Sequence, residues 1–340
     1  MHAAVLQALG KPLEIREVPD PKPGPSDLVL RVRSCGICGS DLHAASLPPG
    51  LPAGSVMGHE FAGEVVEVGR SAAAQFELGE RVCALPYTAC GRCAACLTGE
   101  GIRCAQMVST GLGAAPGAYA EFVKVGAAET LRLPEAVSFR EGALVEPLSV
   151  GLHAVHEARL EPGANVLVIG AGPIGLSVAV WARFFGARTL MVSEKAAGRR
   201  ALAERFGATH VIDPTHEMPG VAFAKAAGGP PEVIFECVGV PGMIQQCVLL
   251  APPRGRIVVV GVCAQPDTLF PVFAIVKELT LRFVVGYRKQ DFQLTLDMLA
   301  SERIAGAAMV TDSVDLAALP AAFEALKQPT TQCKVMLELG

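Results

Sequence analysis

The stretch SCGICGSDLH, which begins at residue 34, carries several groups capable of chemistry: Cys35, Cys38, Ser40, Asp41 and His43. Two cysteines three positions apart have the spacing of thiolate ligands in a zinc knuckle. The hydroxyl and imidazole groups that follow are typical of proton transfer in an active site. The stretch therefore fits either a metal site or a catalytic site, and the rest of the sequence must decide between them.

A second cysteine-rich segment, CGRCAACLTGEGIRC, places Cys90, Cys93, Cys96 and Cys104 within fifteen residues. Four thiolates with this spacing can close a tetrahedron around Zn²⁺ and leave no open position, which is typical of a structural site. An iron–sulfur cluster also takes four cysteines, but the spacing differs from ferredoxin motifs. The segment predicts a structural zinc site.

Groups for an open metal site are spread along the chain. Cys38 supplies a thiolate, GHEF supplies His59 and Glu60, and EPLSVGLHA begins with Glu146. Three such ligands plus water would form a Lewis-acid zinc site, which lowers the pKa of bound water to about 7. Any one of these residues alone would more often be an ordinary structural or surface residue.

A glycine-rich turn follows an apolar segment in NVLVIGAGPIG. Gly170 permits a tight turn, Gly172 allows close approach of a pyrophosphate, and Gly175 allows the next helix to pack on the strand. Pro173 and Ile174 open that helix, whose N-terminus favours anions. These residues predict a dinucleotide site.

The next predicted strand, TLMVSE, ends at Glu194, nineteen residues after Gly175. An acid at this position accepts hydrogen bonds from the adenosine ribose and repels a 2′-phosphate, so NAD is favoured over NADP. Arg199 is included in the predicted cofactor site. Together with Lys195 and Arg200 it also leaves NADP open, because basic side chains near this edge can hold a phosphate.

The pattern of predicted elements changes near Gly151. Before it, short extended segments are broken by proline and glycine, which predicts a β-rich domain. After it, strands alternate with helices, which predicts a doubly wound parallel sheet. The six expected strands of this sheet are Val166–Ile169, Thr189–Ser193, His210–Ile212, Val233–Cys237, Arg256–Val260 and Thr280–Val285. The tail from about Gly286 contains a predicted helix and a final strand, and we expect it to return to the first domain.

Composition narrows the classes of partner. A chain of 340 residues is long enough for two domains, and the net charge of -4, without long runs of like charge, disfavours nucleic acid. The longest uncharged stretch, residues 162–182, is interrupted by the glycine turn, so no membrane span is predicted. The N-terminal residues lack the pattern of a signal peptide. These features predict a cytoplasmic protein with a small-molecule partner.

These motifs together resemble the zinc-containing medium-chain alcohol and polyol dehydrogenases. The resemblance covers essentially the whole chain and rests on CGICGSDLH, GHEFAGEVVEVG, GERVCALPYTACGRCAACLTGEGIRC, EPLSVGLHA and GAGPIG, which occur in the family's order and spacing. EPLSVGLHA is most similar to the branch of sorbitol, threonine and butanediol dehydrogenases.

The resemblance implies a set of ligands for a catalytic zinc. Cys38 and His59 match zinc ligands, and Glu60 matches an acid that ligates directly or exchanges with water. Glu146 matches the remaining ligand position. Whether Glu60 or Glu146 is a ligand in the resting state stays open, and Cys35 is expected to be a small buried residue that binds no metal.

The resemblance also implies a proton relay and a structural lobe. Ser40 matches the hydroxyl that takes the alcohol proton, and His43 matches the imidazole that passes it through the ribose to solvent. Asp41 is expected to hold local structure rather than to act in catalysis. The four clustered cysteines match the family's structural zinc lobe, residues 90–104.

The implied fold class is α/β. A GroES-like catalytic domain would comprise residues 1–149 and 287–340, and a Rossmann domain that binds NAD would comprise residues 150–286. The cleft between them would bring the nicotinamide beside the zinc. The resemblance further implies two zinc ions per subunit and a homodimer or homotetramer.

The implied reaction is hydride transfer between NAD(H) and a secondary alcohol, a diol or a polyol, with a ketone or aldehyde as product. Sorbitol-type members hold polyol hydroxyls with an Arg-Tyr pair, whereas this chain has Gly286 before Tyr287 and Arg288 after it. That departure weakens a polyol assignment.

Three alternatives stay open. A zinc-free quinone or enoyl reductase would lack the cysteine and histidine sets. An NADP-dependent carbonyl reductase would differ in its cofactor. A zinc-containing binding or regulatory protein on the same fold would have lost activity while keeping its motifs.

Overall fold

The computed structural model describes residues 1–328 and 331–340 and divides them between two units. The first unit contains residues 1–146, 287–328 and 334–340, and the second contains residues 147–286 and 331–333. The tail after residue 286 thus belongs mainly to the first unit.

The first unit is rich in strands. Its elements before the second unit are β1 (His2–Leu6), β2 (Leu13–Glu17), β3 (Asp27–Gly36), α1 (Gly39–Ser46), β4 (Glu60–Val68), β5 (Arg81–Ala84), β6 (Tyr87–Thr88), α2 (Ala94–Leu97), β7 (Val108–Ser109), β8 (Phe122–Gly126), β9 (Thr130–Arg132) and α3 (Phe139–Glu157). Helix α3 continues past residue 146 into the second unit.

The second unit is a parallel sheet with helices between its strands. Its elements are β10 (Asn165–Ile169), α4 (Pro173–Phe184), β11 (Thr189–Ser193), α5 (Ala197–Arg205), β12 (His210–Ile212), α6 (Pro219–Ala227), β13 (Val233–Glu236), α7 (Met243–Leu250), β14 (Arg256–Val259), α8 (Pro271–Val276) and β15 (Thr280–Phe283).

The remaining elements return the chain to the first unit. They are α9 (Lys289–Ala300), β16 (Val310–Val314), α10 (Leu319–Ala325) and β17 (Lys334–Glu338).

The main sheet of the first unit has the strand order β16-β17-β3-β4-β5-β9, and β8 also pairs with β3. Strand β3 reads DLVLRVRSCG, and its branched side chains suit a pleated, largely buried surface. The antiparallel register places Gly36 opposite both Glu60 on β4 and Met336 on β17. The end of β3, where the candidate site begins, is therefore flanked by strands from both ends of the chain.

In residues 147–286, all the strands of the sheet are parallel and have the order β12-β11-β10-β13-β14-β15. The six predicted strands are all present. Three of them end earlier than predicted: β13 at Glu236, β14 at Val259 and β15 at Phe283. The core strands β10 and β11 are buried along their whole length, as expected for a parallel sheet covered on both faces.

Among the described residues, no helix combines the length and the apolar composition that crossing a membrane would require.

Candidate active site

Three potential metal ligands meet at the end of β3. One ligand atom each from Cys38, His59 and Glu60 lies within 4.8 Å of the other two. Cys38 follows β3 and directly precedes α1, whereas Glu60 is the first residue of β4. The pairing of Gly36 with Glu60 in the sheet brings these two distant segments together.

Asp41 fixes the orientation of the His59 ring. Its Oδ1 lies 3.1 Å from His59 Nδ1, and since a carboxylate can only accept, Nδ1 carries the proton. Asp41 Oδ2 accepts hydrogen bonds from the Tyr119 hydroxyl at 2.6 Å and from the Cys38 amide at 3.0 Å. With Nδ1 bound to Asp41, Nε2 is the ring nitrogen that can bind a metal. A zinc-binding histidine is commonly held in this way by a carboxylate on its other nitrogen.

The buried carboxylate also controls the charge of the imidazole. Burial by itself lowers the pKa of His59, but the Asp41 carboxylate outweighs that effect and holds the pKa well above its ordinary value. The side chain of Asp41 is fully buried. Asp41 was expected to hold local structure, and the structure identifies His59 as the residue that it contacts.

A buried ion pair holds Glu60. Lys334 Nζ lies 2.7 Å and 2.6 Å from the two Glu60 oxygens and donates to the Ile37 carbonyl at 3.0 Å. Burial lowers the pKa of Lys334, but Glu60 outweighs it and the net pKa is raised. Sequence reasoning missed Lys334, although a single lysine in the apolar strand KVMLE was a usable signal.

Gly36 is required by the same pair. A Cβ at this position would lie 2.0 Å from Glu60 Oε2. The space that a side chain would fill is thus taken by the carboxylate, and we expect any substitution of Gly36 to displace Glu60.

Glu146 lies outside the group of three ligands. It belongs to α3 and is 8% exposed, and its burial raises its pKa to about 7. The Tyr287 hydroxyl is close enough to lower this pKa, yet it makes no regular hydrogen bond to any described residue. Its ring stacks on Phe292, with centroids 5.6 Å apart.

The two residues of the expected relay lie on α1. The Ser40 hydroxyl donates to Cys38 Sγ at 3.2 Å, and its oxygen lies 3.4 Å from His59 Nε2. His43 Nδ1 is buried and has no hydrogen-bond partner among residues 1–328 and 331–340. Ser40 thus lies at the ligand atoms, and His43 lies three residues further along the same helix.

The four clustered cysteines also meet in space. Their sulfurs lie within 4.8 Å of one another, with Cys93 and Cys96 Sγ atoms 3.4 Å apart and those of Cys90 and Cys96 3.9 Å apart. Four sulfurs at about 2.3 Å from a central zinc would be about 3.8 Å apart. The Cys104 sulfur accepts a further hydrogen bond from the Gln106 amide. The set fits a closed tetrahedral zinc.

The glycine turn has the geometry of a dinucleotide site. Gly170 has φ +98°, and a Cβ on Gly175 would lie 1.9 Å from the Gly170 carbonyl oxygen. In contrast, a Cβ on Gly172 would meet nothing within 4 Å. The two flanking glycines are needed for the fold, whereas the middle one faces open space that a pyrophosphate could occupy. Pro173 is the first residue of α4, and Ile174 follows it.

Glu194 lies at the end of β11 beside this turn. Its two oxygens accept hydrogen bonds from the amides of Ala171 and Ala196, both at 2.8 Å. Arg199 donates to the Gln332 carbonyl, and Arg200 donates to the Glu194 and Lys195 carbonyls. The two arginines are thus engaged with backbone oxygens, and the carboxylate is held at the turn.

Two family models match the chain. The model described as alcohol dehydrogenase GroES-like domain matches residues 24–135, and the one described as zinc-binding dehydrogenase matches residues 173–301. A curated relative, (R,R)-butanediol dehydrogenase of Bacillus subtilis (strain 168), is 33% identical over 342 residues, which span 96% of each chain.

Solved structures with both nicotinamide cofactors are similar to this chain. A zinc-binding dehydrogenase from Sinorhizobium meliloti 1021 bound to NADP superposes with a TM-score of 0.87 and 30% identity, covering 99% of each chain. An alcohol dehydrogenase from Escherichia coli CFT073 complexed with NADH has a TM-score of 0.90 and 27% identity, covering 100% of this chain and 99% of the other. The chain therefore belongs to the zinc-containing medium-chain alcohol and polyol dehydrogenases, and it is a zinc- and NAD(P)-dependent oxidoreductase that acts on alcohols.

Proposed function

We propose that the protein oxidises a secondary alcohol or vicinal diol with NAD⁺, and reduces the matching ketone with NADH. One observation carries the proposal: Cys38, His59 and Glu60 converge within 4.8 Å, with Ser40 at the same atoms. A site that only held structure would not need a hydroxyl beside an incomplete ligand set.

The ligands of this site are proposed as Cys38, His59 and a carboxylate from Glu60 or Glu146. Zinc bound there would supply the positive charge that stabilises an alkoxide, and NAD⁺ would accept the hydride. Asp41 holds the proton on His59 Nδ1 and thereby presents Nε2. The geometry favours Glu60 as the nearer carboxylate, although Lys334 holds both of its oxygens.

Proton transfer is assigned to α1. The Ser40 hydroxyl lies where it can take the proton of an alcohol, since it already hydrogen-bonds to Cys38 Sγ. His43 is the proposed next acceptor, because its buried Nδ1 has no partner among the described residues. Both roles require a hydroxyl or imidazole at these positions, so Ser40→Ala should reduce turnover.

The substrate is proposed to be less polar than a long polyol. The loop after α1 presents Leu47, Pro48 and Pro49, and the residue directly before Tyr287 is Gly286 rather than an arginine. The similar Bacillus subtilis protein bears the name of a dehydrogenase of butanediol, a short vicinal diol. A panel of short secondary alcohols, diols and polyols assayed with NAD⁺ tests this choice, and a preference for polyols would contradict it.

NAD is the proposed cofactor. Support comes from Glu194, which is held at the glycine turn, and from Arg199 and Arg200, which donate to backbone carbonyls. If kcat/KM with NADP equals or exceeds that with NAD, this part of the proposal is wrong.

Metal content and turnover together test the catalytic site. We expect Cys38→Ser to reduce the zinc content from two to one per subunit and to abolish alcohol-dependent NADH formation. Cys35→Ala is the matched control, because this buried thiol lies in the same stretch, donates to the Gly36 carbonyl and lies outside the group of three ligands. Unchanged zinc content or activity in Cys38→Ser would contradict the assignment.

A homo-oligomer is proposed from the free edge of the sheet in residues 147–286. Strand β15 ends the strand order and pairs only with β14 in that range. Large apolar side chains, each at least 40% exposed, cluster in the nearby sequence: Phe270, Val272, Phe273, Ile275, Val276, Phe283 and Val285. An unpaired edge with such a surface suits a second copy arranged about a two-fold axis.

Sedimentation velocity tests the oligomer. Ile275→Glu should sediment more slowly than the wild type, because more of it is monomeric. Met218→Glu, at an equally exposed apolar side chain elsewhere in the unit, should sediment like the wild type. Equal behaviour of the two variants would contradict an interface at this edge. We also propose a cytoplasmic location, since both cysteine sites require reduced thiols.

A further inference from the structure

The loop between Cys96 and Cys104 contacts the beginning of helix α9. The Lys289 amide donates to the Gly99 carbonyl at 3.0 Å. Gly99 has φ +81°, and a Cβ there would lie 2.1 Å from Gln290 Oε1. The positive φ favours glycine at this position, and the Gln290 side chain would have to move before a Cβ could be accommodated.

Side chains extend the same contact. The Glu100 carboxylate lies 3.1 Å from Arg288 Nη2 and 3.2 Å from Arg103 Nε. The two arginines are about half exposed, and such pairs contribute little energy individually. Their consequence is geometric, because the pair of Arg288 with Glu100 directs residues 288–290 against the cysteine-held loop. The Lys289 side chain takes no part in this contact, since its Nζ donates to the Ala128 carbonyl, outside the loop, at 2.5 Å.

The other end of this short segment reaches the candidate active site. Tyr287 is 3% exposed, and its ring stacks on Phe292 one helical turn further along. Its hydroxyl is buried near Glu146 and has no regular hydrogen-bond partner among the described residues. A buried hydroxyl left unpaired is costly, so its presence here suggests that a bound molecule completes its hydrogen bonding.

We infer that the cysteine-held loop is a positioning element for Tyr287, and that it sets where the Tyr287 hydroxyl stands beside Glu146 and thus how an alcohol substrate is held. The inference rests on the proposed function. Gly99 and Lys289 are positioning residues that act through Tyr287. The closed zinc site then contributes to substrate positioning as well as to stability, because it makes the loop rigid enough to support residues 287–290.

Paired glycine substitutions test the contact. Gly99→Ala places a Cβ against Gln290. Gly91→Ala is the matched control, because Gly91 also has a positive φ, +70°, in the same lobe but faces nothing within 4 Å. Both variants carry the strain of an L-residue in this conformation, and only Gly99→Ala should also displace the Gln290 side chain at the start of α9.

A second pair tests the same contact from the other side. Lys289→Pro removes the amide that donates to Gly99, and proline is tolerated because Lys289 is the first residue of α9. Lys289→Ala keeps the amide and loses only the side chain. This pair keeps the inference testable if Gly99→Ala fails to fold.

Fluorine NMR gives a readout that does not depend on activity. The chain has 3 tyrosines, so fluorotyrosine labelling of the zinc-loaded protein gives few resonances, and Tyr287→Phe identifies the one from Tyr287. We expect Gly99→Ala and Lys289→Pro to shift that resonance, while the two controls leave it in place. A Tyr287 resonance that does not move in either test variant, or that moves equally in the controls, would overturn the inference even if the protein oxidised no alcohol.

Kinetics supply the second readout. With zinc content unchanged, Gly99→Ala and Lys289→Pro should lower kcat/KM for the alcohol about 10-fold, since small misplacements of a substrate-positioning group are costly. In a Tyr287→Phe background the same substitutions should have no further effect. Full additivity would overturn the inference. A wild-type protein that is inactive toward every alcohol would instead refute the proposed function, and the NMR result would still decide the contact.

Discussion

Replacing Lys334 by methionine should destabilise the first unit more than an ordinary lysine substitution. Lys334 is 1% exposed and Glu60 is fully buried, and the ammonium lies within 2.7 Å of both carboxylate oxygens. Removing one partner of a buried ion pair typically costs about 3–5 kcal/mol, because the remaining charge has lost its compensation. We therefore expect the free energy of unfolding to fall by about 4 kcal/mol, which corresponds to a decrease in Tm of about 10 °C.

The assay is thermal and urea unfolding of the zinc-loaded protein followed by circular dichroism. Lys22→Met is the matched control, since its ion pair with Glu67 spans 3.8 Å and both side chains are exposed. Such a surface pair contributes about 1 kcal/mol at most. Glu60→Gln and the double variant with Lys334→Met complete a mutant cycle, in which the double variant should lose much less than the sum of the single losses.

Two results would refute this reasoning. A loss below about 1 kcal/mol in Lys334→Met would mean that another positive charge, such as a zinc ion bound beside it, compensates Glu60. Additive losses in the cycle would mean that the two side chains do not act as a pair.

Three further predictions concern the two metal sites. Because burial raises the pKa of Glu146 to about 7, this carboxyl holds about half a proton at pH 7 before zinc binds, and the dication should expel it. Calorimetry of zinc binding in buffers of different ionisation enthalpy should detect the released proton. The number of protons released from Glu146 should grow below pH 7 and decline above it, and the total release should be smaller in Glu146→Gln. Asp41→Asn should weaken zinc binding at the catalytic site about 10- to 100-fold, since the His59 tautomer is no longer fixed; chelator competition measures this, and a change below about threefold would contradict it. Cys96→Ser should lower both zinc content and thermal stability, because a structural zinc contributes on the order of 10 kcal/mol, and unchanged melting would contradict a closed site.

Local patterns in the sequence were sufficient for much of the fold. The strands of the parallel sheet are short apolar runs bounded by glycine and proline, and the glycine turn depends on residues within one segment. The four-cysteine set also lies within fifteen residues. In these cases the chemistry and the geometry are both set by neighbours in the chain.

The contacts that refine the candidate site depend on distant segments. Lys334 and Glu60 are 274 residues apart, and Tyr119 and Asp41 are 78 apart. No spacing rule connects them, because the tertiary arrangement of the strands brings them together. The buried contact of Asp41 with His59 was likewise out of reach of sequence reasoning, which only assigned Asp41 to local structure.

The pairing of β17 with β3 has a consequence for the order in which the chain folds. During synthesis, residues 147–286 emerge after Glu60 and before Lys334, so the parallel sheet can form while the Glu60 carboxylate has no counter-ion. The first unit can complete its interior only when β17 has been made and has inserted beside β3. We therefore expect a nascent chain that stops before β17 to expose the Cys38 and His59 side chains, and to be cut by proteases within the first unit while the second resists.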